Sequence, residues 1–169
     1  MFFAGNSDDG HSGYDVAQIC ERGHVINSSS VRSPQFNKKF CTKCGAATRT
    51  TCAQCNAPIQ GEYHSAGVIH VGFKMNAPAH CHQCGAQHPW TIANIKAAQD
   101  LVDMSDAPDA EKTALKTSAP DLLVDSPQSQ VAASRWKKFF AGTGKQVADV
   151  GRQLLVDVAS EAVKKVIWP

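Results

Sequence analysis

Seven cysteines and one histidine fall into four closely spaced pairs: Cys20 with His24, Cys41 with Cys44, Cys52 with Cys55, and Cys81 with Cys84. Thiolate and imidazole are the donors zinc prefers, and eight of them complete two tetrahedral sites. A site closed by four protein donors leaves no position for a reacting water, so the chemistry is structural rather than catalytic. All seven cysteines are used, and His24 completes the odd set. The expected cofactor is two Zn2+ ions. Tetrahedral thiolates also suit iron, which is the lesser alternative.

Three pairings of the ligands are open: sequential, cross-braced and nested. The gaps between pairs are 16, 7 and 25 residues. Sequential pairing is favoured because it makes two units of one plan, each a knuckle, an outgoing strand, a return strand and a second knuckle. Both would end in Cys-x-x-Cys-Gly-Ala. Nesting would place Cys41, Cys44, Cys52 and Cys55 on one ion, which the short middle gap permits.

The elements that must hold these ligands are short. Val16–Ile19, Val25–Asn27, Thr48–Thr51 and Val68–Val71 read as brief strands between tight turns. Gly23, Gly45 and Gly85 stand beside ligands, where a turn around metal favours positive φ. After Trp90 the pattern becomes helical. Thr91 is expected to cap a first helix carrying Ile92, Ile95 and Val102. Asp106 would cap a second, running to Lys116 with Pro108 in its first turn. A third spans Pro127–Ala141, and a last one Lys145–Ile167. That last helix has an apolar face centred on Val147, Leu154 and Val158, with Leu155, Ala159, Val163 and Val166 widening it.

The fold class expected is thus a small zinc-stabilised β region, built of tandem zinc ribbons or knuckles, followed by an α-helical C-terminal region. Residues 1–13 read as a flexible N-terminus, 14–91 as the double zinc-ribbon domain, and 92–169 as the helical region.

The residues also carry a resemblance. Val16–Cys20 with Gly23–Asn27, Pro34–Cys41, Cys81 to Thr91 with its Pro89-Trp90-Thr91, and Ala159–Lys165 together resemble an uncharacterised bacterial double-zinc-ribbon family, a domain of unknown function. The likeness extends over most of the chain from Tyr14. It implies a bacterial zinc-ribbon protein with a helical tail and supplies no activity.

Several functions are discounted on the residues. No His-Glu-x-x-His or deaminase-type His-x-Glu signature accompanies the metal ligands. His64, His70 and His88 read as solvent-facing or supporting residues, and His80 and His82, the immediate neighbours of Cys81, as pointing to the face opposite its sulfur. The Cys-x-x-Cys pairs lack the βαβ context of thioredoxin-like enzymes, and none is followed by His, as covalent haem attachment requires. Gly142-Thr143-Gly144-Lys145 lacks the first glycine and the final Ser/Thr of a phosphate loop. The chain opens without a secretion signal, and no window reaches the roughly 18 apolar residues of a membrane span. Reduced thiols that bind metal point to the cytoplasm.

What remains is non-catalytic binding. The chain carries a formal +2, but two zinc ions and seven thiolates bring the loaded protein to about −1. Residues 14–90 hold seven Lys/Arg against three Asp/Glu, and residues 91–169 ten against ten. The leading reading is an adaptor that docks a protein partner, or a second copy of itself through Val147, Leu154 and Val158. Its rival is a nucleic-acid-binding regulator. There Arg32, Lys38, Lys39, Lys43 and Arg49 would contact phosphate while Phe36, Phe40, Tyr63 or Trp90 stacked on bases. The bland alternative is that Phe40 and Trp90 pack against their own knuckles, since so small a region has little other core.

Overall fold

A computed structural model describes residues 12–68, 74–156 and 159–168. The chain forms two compact units. The first takes in the described residues up to Ala77 together with Cys81–Ala86; the second takes in Pro78–His80 and everything described from Gln87 onward.

Small antiparallel sheets build the first unit. Strand β1 (Gly13–Val16) pairs with β5 (Gln60–His64), bringing Tyr14 opposite Tyr63. Strands β2 (Gln18–Cys20), β3 (Val25–Asn27) and β4 (Thr48–Arg49) form a second sheet in the order β3-β2-β4. The apolar run from Val16 is therefore two strands, not one. Ala17 lies between them, fully buried, and its N–H bonds the Ile59 carbonyl at 2.8 Å instead of continuing either ladder. The strand expected at Val68–Val71 is not found at Val68, and residues 69–71 lie outside those described. Instead the return strand is β5, whose Gln-Gly-Glu-Tyr-His sequence has little strand character and is held by its pairing with β1.

Apolar burial in this unit is sparse. Ala17, Ile19 and Ile59 are buried, and the other buried apolar side chains are Cys20, Cys41, Cys52 and Cys81. Polar groups tie down the segment that follows β3. Asp15 is buried and accepts from the amides of Val31 and Arg32 at 3.0 and 3.1 Å. Asn27 donates to the Ser33 carbonyl and to Asn37 Oδ1, both at 2.8 Å. Beneath the segment runs Gly61, where a Cβ would lie 2.3 Å from the Ser28 carbonyl oxygen, so no side chain fits there.

The second unit is helical: α1 (Pro89–Asp103), α2 (Asp109–Ser118), a 3-10 turn (Ala119–Leu123), α3 (Pro127–Gly142), α4 (Lys145–Leu155) and α5 (Glu161–Ile167). Helix α1 starts earlier than expected. His88 is its N-cap, Pro89 sits in the first turn, and Thr91 lies inside with its hydroxyl donating to the Ala79 carbonyl at 2.9 Å. Ile92 is exposed, and the buried face is Trp90, Thr91, Ile95, Ala98 and Val102. Pro108, not Asp106, is the N-cap of α2. Ser126 caps α3 through a reciprocal pair with Ser129, as a proline-started helix allows.

The last helix is broken in two. Helix α4 ends at Leu155, and Ser160 opens α5 by accepting the Val163 amide while its own N–H bonds the Leu122 carbonyl at 2.9 Å. This serine satisfies a new helix start, which a single long helix would leave unused. The buried face is also offset from the one expected. Gly151, Leu155, Ala159, Val163 and Ile167 turn inward with Leu115, Leu122 and Trp136, whereas Val147 and Leu154 are only half-buried and Val150 is exposed. Val158 lies outside the described residues. The Phe140 ring lies against Gly151, where a Cβ would come within 2.2 Å of it, and stacks on Trp168 at 6.1 Å.

This division predicts unequal costs along α4. Leu155→Ala should destabilise the helical unit by about 2–5 kcal/mol, the range for buried leucines, while Val150→Ala should change stability by no more than about 0.5 kcal/mol. Denaturant unfolding followed by far-ultraviolet circular dichroism measures both. Equal losses would contradict the inward orientation of Leu155.

Candidate metal centres

Three of the four knuckles are the same structure repeated. In each Cys-x-x-Cys turn the first cysteine's N–H bonds a carbonyl five residues on: Cys41 to Ala46, Cys52 to Ala57, and Cys81 to Ala86, all at 2.8 Å. The residue after the second cysteine donates back to the first cysteine's carbonyl, from Gly45, Asn56 and Gly85 at 2.8, 3.1 and 2.9 Å. Those residues have φ of 71°, 59° and 73°. Asn56 carries no glycine signal in the sequence, yet asparagine is among the residues that best tolerate this region after glycine. Flanking bridges Phe40↔Ala47, Thr51↔Pro58 and His80↔Gln87 close each turn. The fourth turn, Cys20 to His24, uses Gly23 at φ 86° and a Cys20 N–H to His24 carbonyl bond at 3.0 Å.

The turns aim amides at sulfur. Lys43, Gln54 and Gln83 N–H groups donate to Cys41, Cys52 and Cys81 Sγ at 3.4 Å each, and the His24 N–H donates to Cys20 Sγ at 3.3 Å. Such bonds stabilise thiolate over thiol, as metal ligation requires.

The eight side chains converge in two groups, Cys20-His24-Cys41-Cys44 and Cys52-Cys55-Cys81-Cys84, with all donor atoms in a group within 4.8 Å of one another. The sheet β3-β2-β4 assembles the first group, because β2 ends at Cys20, β3 follows His24, and β4 follows the Cys41–Cys44 turn. The grouping is that of sequential pairing.

Distances test the fit to zinc. A tetrahedron with zinc–sulfur bonds of about 2.3 Å and zinc–nitrogen bonds of about 2.0–2.1 Å has sulfur–sulfur edges of about 3.8 Å and sulfur–nitrogen edges of about 3.5 Å. In the first group Cys20 and Cys44 Sγ are 3.8 Å apart, and His24 Nδ1 is 3.5 Å from both Cys20 and Cys41 Sγ. In the second, Cys52 and Cys84 are 3.9 Å apart and Cys55 and Cys81 3.7 Å. A disulfide needs about 2.05 Å, so these sulfurs are spaced as co-ligands. One donor set is three thiols with an imidazole and the other is four thiols. Both are sets found in structural zinc sites and fit the ion.

Without a cation the thiols compete for charge. Burial alone would push the Cys41 thiol up, but the Lys43 and Cys44 amides, with the Cys44 and Cys20 thiols, outweigh it and bring it down to about 6. The Cys55 and Gln54 amides bring Cys52 down to about 6, and the Cys84 and Gln83 amides lower Cys81. Burial raises Cys20. The Ala57 amide favours a Cys55 thiolate, yet the Cys84 thiol, burial and the Cys81 and Cys52 thiols override it, pushing Cys55 up to about 12. Within one cluster some thiols ionise easily and others scarcely at all, and a divalent cation removes that conflict.

The remaining histidines separate. His88 is buried and stacks on Trp90 at 4.5 Å, so it is not solvent-facing. His82 is exposed, His64 and His80 half-buried, and His70 lies outside the described residues. Trp90 is buried, donating from its indole to the Pro78 carbonyl at 2.9 Å, whereas Phe40 is 62% exposed. Arg32, Lys38, Lys39 and Lys43 belong to the surface, while Arg49 pairs with Glu21 at 3.2 Å. Among the described residues no helix is long and apolar enough to cross a membrane.

Protein prepared without added metal should carry two tightly held ions by native mass spectrometry, and elemental analysis should find zinc. Cys81→Ser should release one ion and leave the far-ultraviolet helical signal in place. Zinc loading of the stripped protein should fall as pH drops, steeply below about 6, because there even Cys41 and Cys52 bind protons that the ion must displace. A single ion, or loading indifferent to pH, would overturn the two-centre assignment.

No curated protein and no solved structure matches this chain. A family of bacterial proteins, described as "Uncharacterized protein conserved in bacteria (DUF2321)", matches residues 13–167. The chain belongs to this uncharacterised bacterial family.

Proposed function

We propose that this protein is a non-catalytic recognition module whose first unit is a pair of zinc ribbons, each ion joining two hairpin turns, and that it acts by docking a protein partner. Eight protein donors for two ions leave no coordination position for substrate or water, which argues against catalysis at the metal. The observation that carries the docking reading is the outward display of Val31, Phe36 and Phe40, which are 68%, 60% and 62% exposed. These side chains stand on backbone that is held fast. Asn37 donates to the Ser30 carbonyl at 3.0 Å, the Lys38 N–H bonds Gln18 Oε1 at 2.9 Å, and the Thr48 N–H bonds the Lys39 carbonyl at 3.1 Å. Exposed aromatics on a rigid frame, with Arg32 beside them in the chain, are the composition of an interface centre.

A second reading rests on the charge of the same strip. From Ser30 to Ala47 the chain carries Arg32, Lys38, Lys39 and Lys43 and no acidic residue. Aromatic rings interleaved with lysines are how single-stranded nucleic acid is bound without sequence preference.

Fluorescence anisotropy with labelled single-stranded RNA and DNA over a salt series separates the two. If nucleic acid is the partner, the logarithm of affinity falls linearly with that of salt. Lys38→Glu with Lys39→Glu then flattens the slope by roughly 0.7 for each phosphate no longer neutralised. If protein is the partner, oligonucleotides do not bind even at low salt. A specific protein then copurifies from the native host with the wild type and is absent with Phe36→Ala/Phe40→Ala, zinc content unchanged. Identical copurification with that double variant would sink the docking reading.

A further inference from the structure

We propose that the Cys52-Cys55-Cys81-Cys84 cluster is a site of oxidative modification, losing its ion when its thiolates are oxidised to disulfides, while Cys20-His24-Cys41-Cys44 keeps its own. This rests on the zinc reading of both clusters. The two share their turn geometry but differ in access and in donors. In the first, Cys20 and Cys41 are buried and Cys44 is half-buried, so no sulfur is fully open to solvent. In the second, Cys55 and Cys84 are both exposed. Their neighbours Gln54, Asn56 and Gln83 are exposed too, so this side of the cluster borders solvent.

Donor chemistry points the same way. A divalent ion among three thiolates and a neutral imidazole leaves one net negative charge, whereas four thiolates leave two. The second cluster's sulfurs are therefore the more electron-rich, and thiolate character with access decides which cysteines are oxidised. Each exposed sulfur also has a partner at hand, Cys84 with Cys52 at 3.9 Å and Cys55 with Cys81 at 3.7 Å.

The chemistry balances with a peroxide as oxidant. The Cys84 thiolate attacks one oxygen of hydrogen peroxide, the O–O bond breaks, and sulfenic acid and hydroxide form. The Cys52 thiolate then attacks the sulfenic sulfur, forming the S–S bond and expelling a second hydroxide. Two thiolates have lost two electrons, and the peroxide has gained them. A cluster with two donors gone cannot close a tetrahedron, so its ion is lost, and Cys55 and Cys81 follow in a second round.

The test uses the full zinc-loaded chain and hydrogen peroxide. Released zinc is followed with a chromogenic chelator, retained ions by native mass spectrometry, and disulfides by peptide mapping. One ion should leave about tenfold faster than the other, with disulfides confined to Cys52, Cys55, Cys81 and Cys84, and catalase should prevent the loss. Cys84→His, which gives the second cluster the first one's donor set and removes an exposed thiolate, should still load two ions and slow the fast phase. Loss of both ions at one rate, or disulfides first at Cys20, Cys41 or Cys44, overturns the proposal. Should Cys84→His load only one ion, the wild-type rates and disulfide map decide the matter alone. Failure of the zinc reading itself shows before any peroxide is added, as protein that does not hold two zinc ions.

Discussion

Four thiols gathered within 4.8 Å of one another cannot all ionise unless a divalent cation stands among them, and the first unit is built around that constraint. Its turns supply amides to particular sulfurs, so that Cys41 and Cys52 are poised at about 6 while Cys55 is driven to about 12. Such a cluster is electrostatically unfinished by itself. Loaded with metal, it ties together turns that are 16 and 25 residues apart in the chain, closing loops whose entropy the sheets alone have little means to offset. Among the described residues of this unit the buried apolar side chains besides cysteine are only Ala17, Ile19 and Ile59, fewer than a packed domain uses.

The turn itself is the repeated device. One eight-residue pattern, closed by a bridge at its ends and a positive φ after the second cysteine, occurs at Phe40–Ala47, Thr51–Pro58 and His80–Gln87. Each copy delivers a buried first sulfur, at Cys41, Cys52 and Cys81, and a more accessible second one, at Cys44, Cys55 and Cys84. Where the fourth turn replaces this pattern with Cys20 and His24, the cluster gains a fully buried sulfur and a neutral donor. The difference in donors between the two clusters thus follows from a single substitution of turn type, whereas Cys44 is less exposed than Cys55 and Cys84 although it stands in the same turn.

The ligands were legible in the sequence because metal spacing is local, and the grouping into sequential pairs follows the repeated plan of the chain. The strands were less so. Strand β5 has weak intrinsic preference and exists through its partner β1, and the split at Ala17 depends on the distant Ile59 carbonyl. In the helical half, the Pro127 start was readable from Ser126-Pro127, but the break before Ser160 was hidden by apolar residues that continue in helical register on either side. Their spacing suggested a face centred on Leu154, whereas the buried face runs one residue on, through Leu155, Val163 and Ile167. Phe40 shows the same limit in the opposite sense, for nothing local tells a packed aromatic from an exposed one.

The two units therefore stand on different physics. The helical unit buries Trp136, Phe139, Leu115 and their neighbours in a continuous apolar core. The β unit has polar ties, among them those of Asp15, Asn27 and Asn37, and two sulfur-rich clusters that an ion could close. That arrangement releases its aromatics from core duty. A fold that needed Phe36 and Phe40 for stability would have to bury them, whereas one held by metal can keep both outward without losing cohesion. Within Val31–Lys43 the backbone is fixed by bonds of Asn37, the Lys38 amide and the Lys43 amide to Cys41, none of which uses the Val31, Phe36 or Phe40 side chains. The bonds that hold this segment and the side chains that it displays to solvent belong to different residues and atoms.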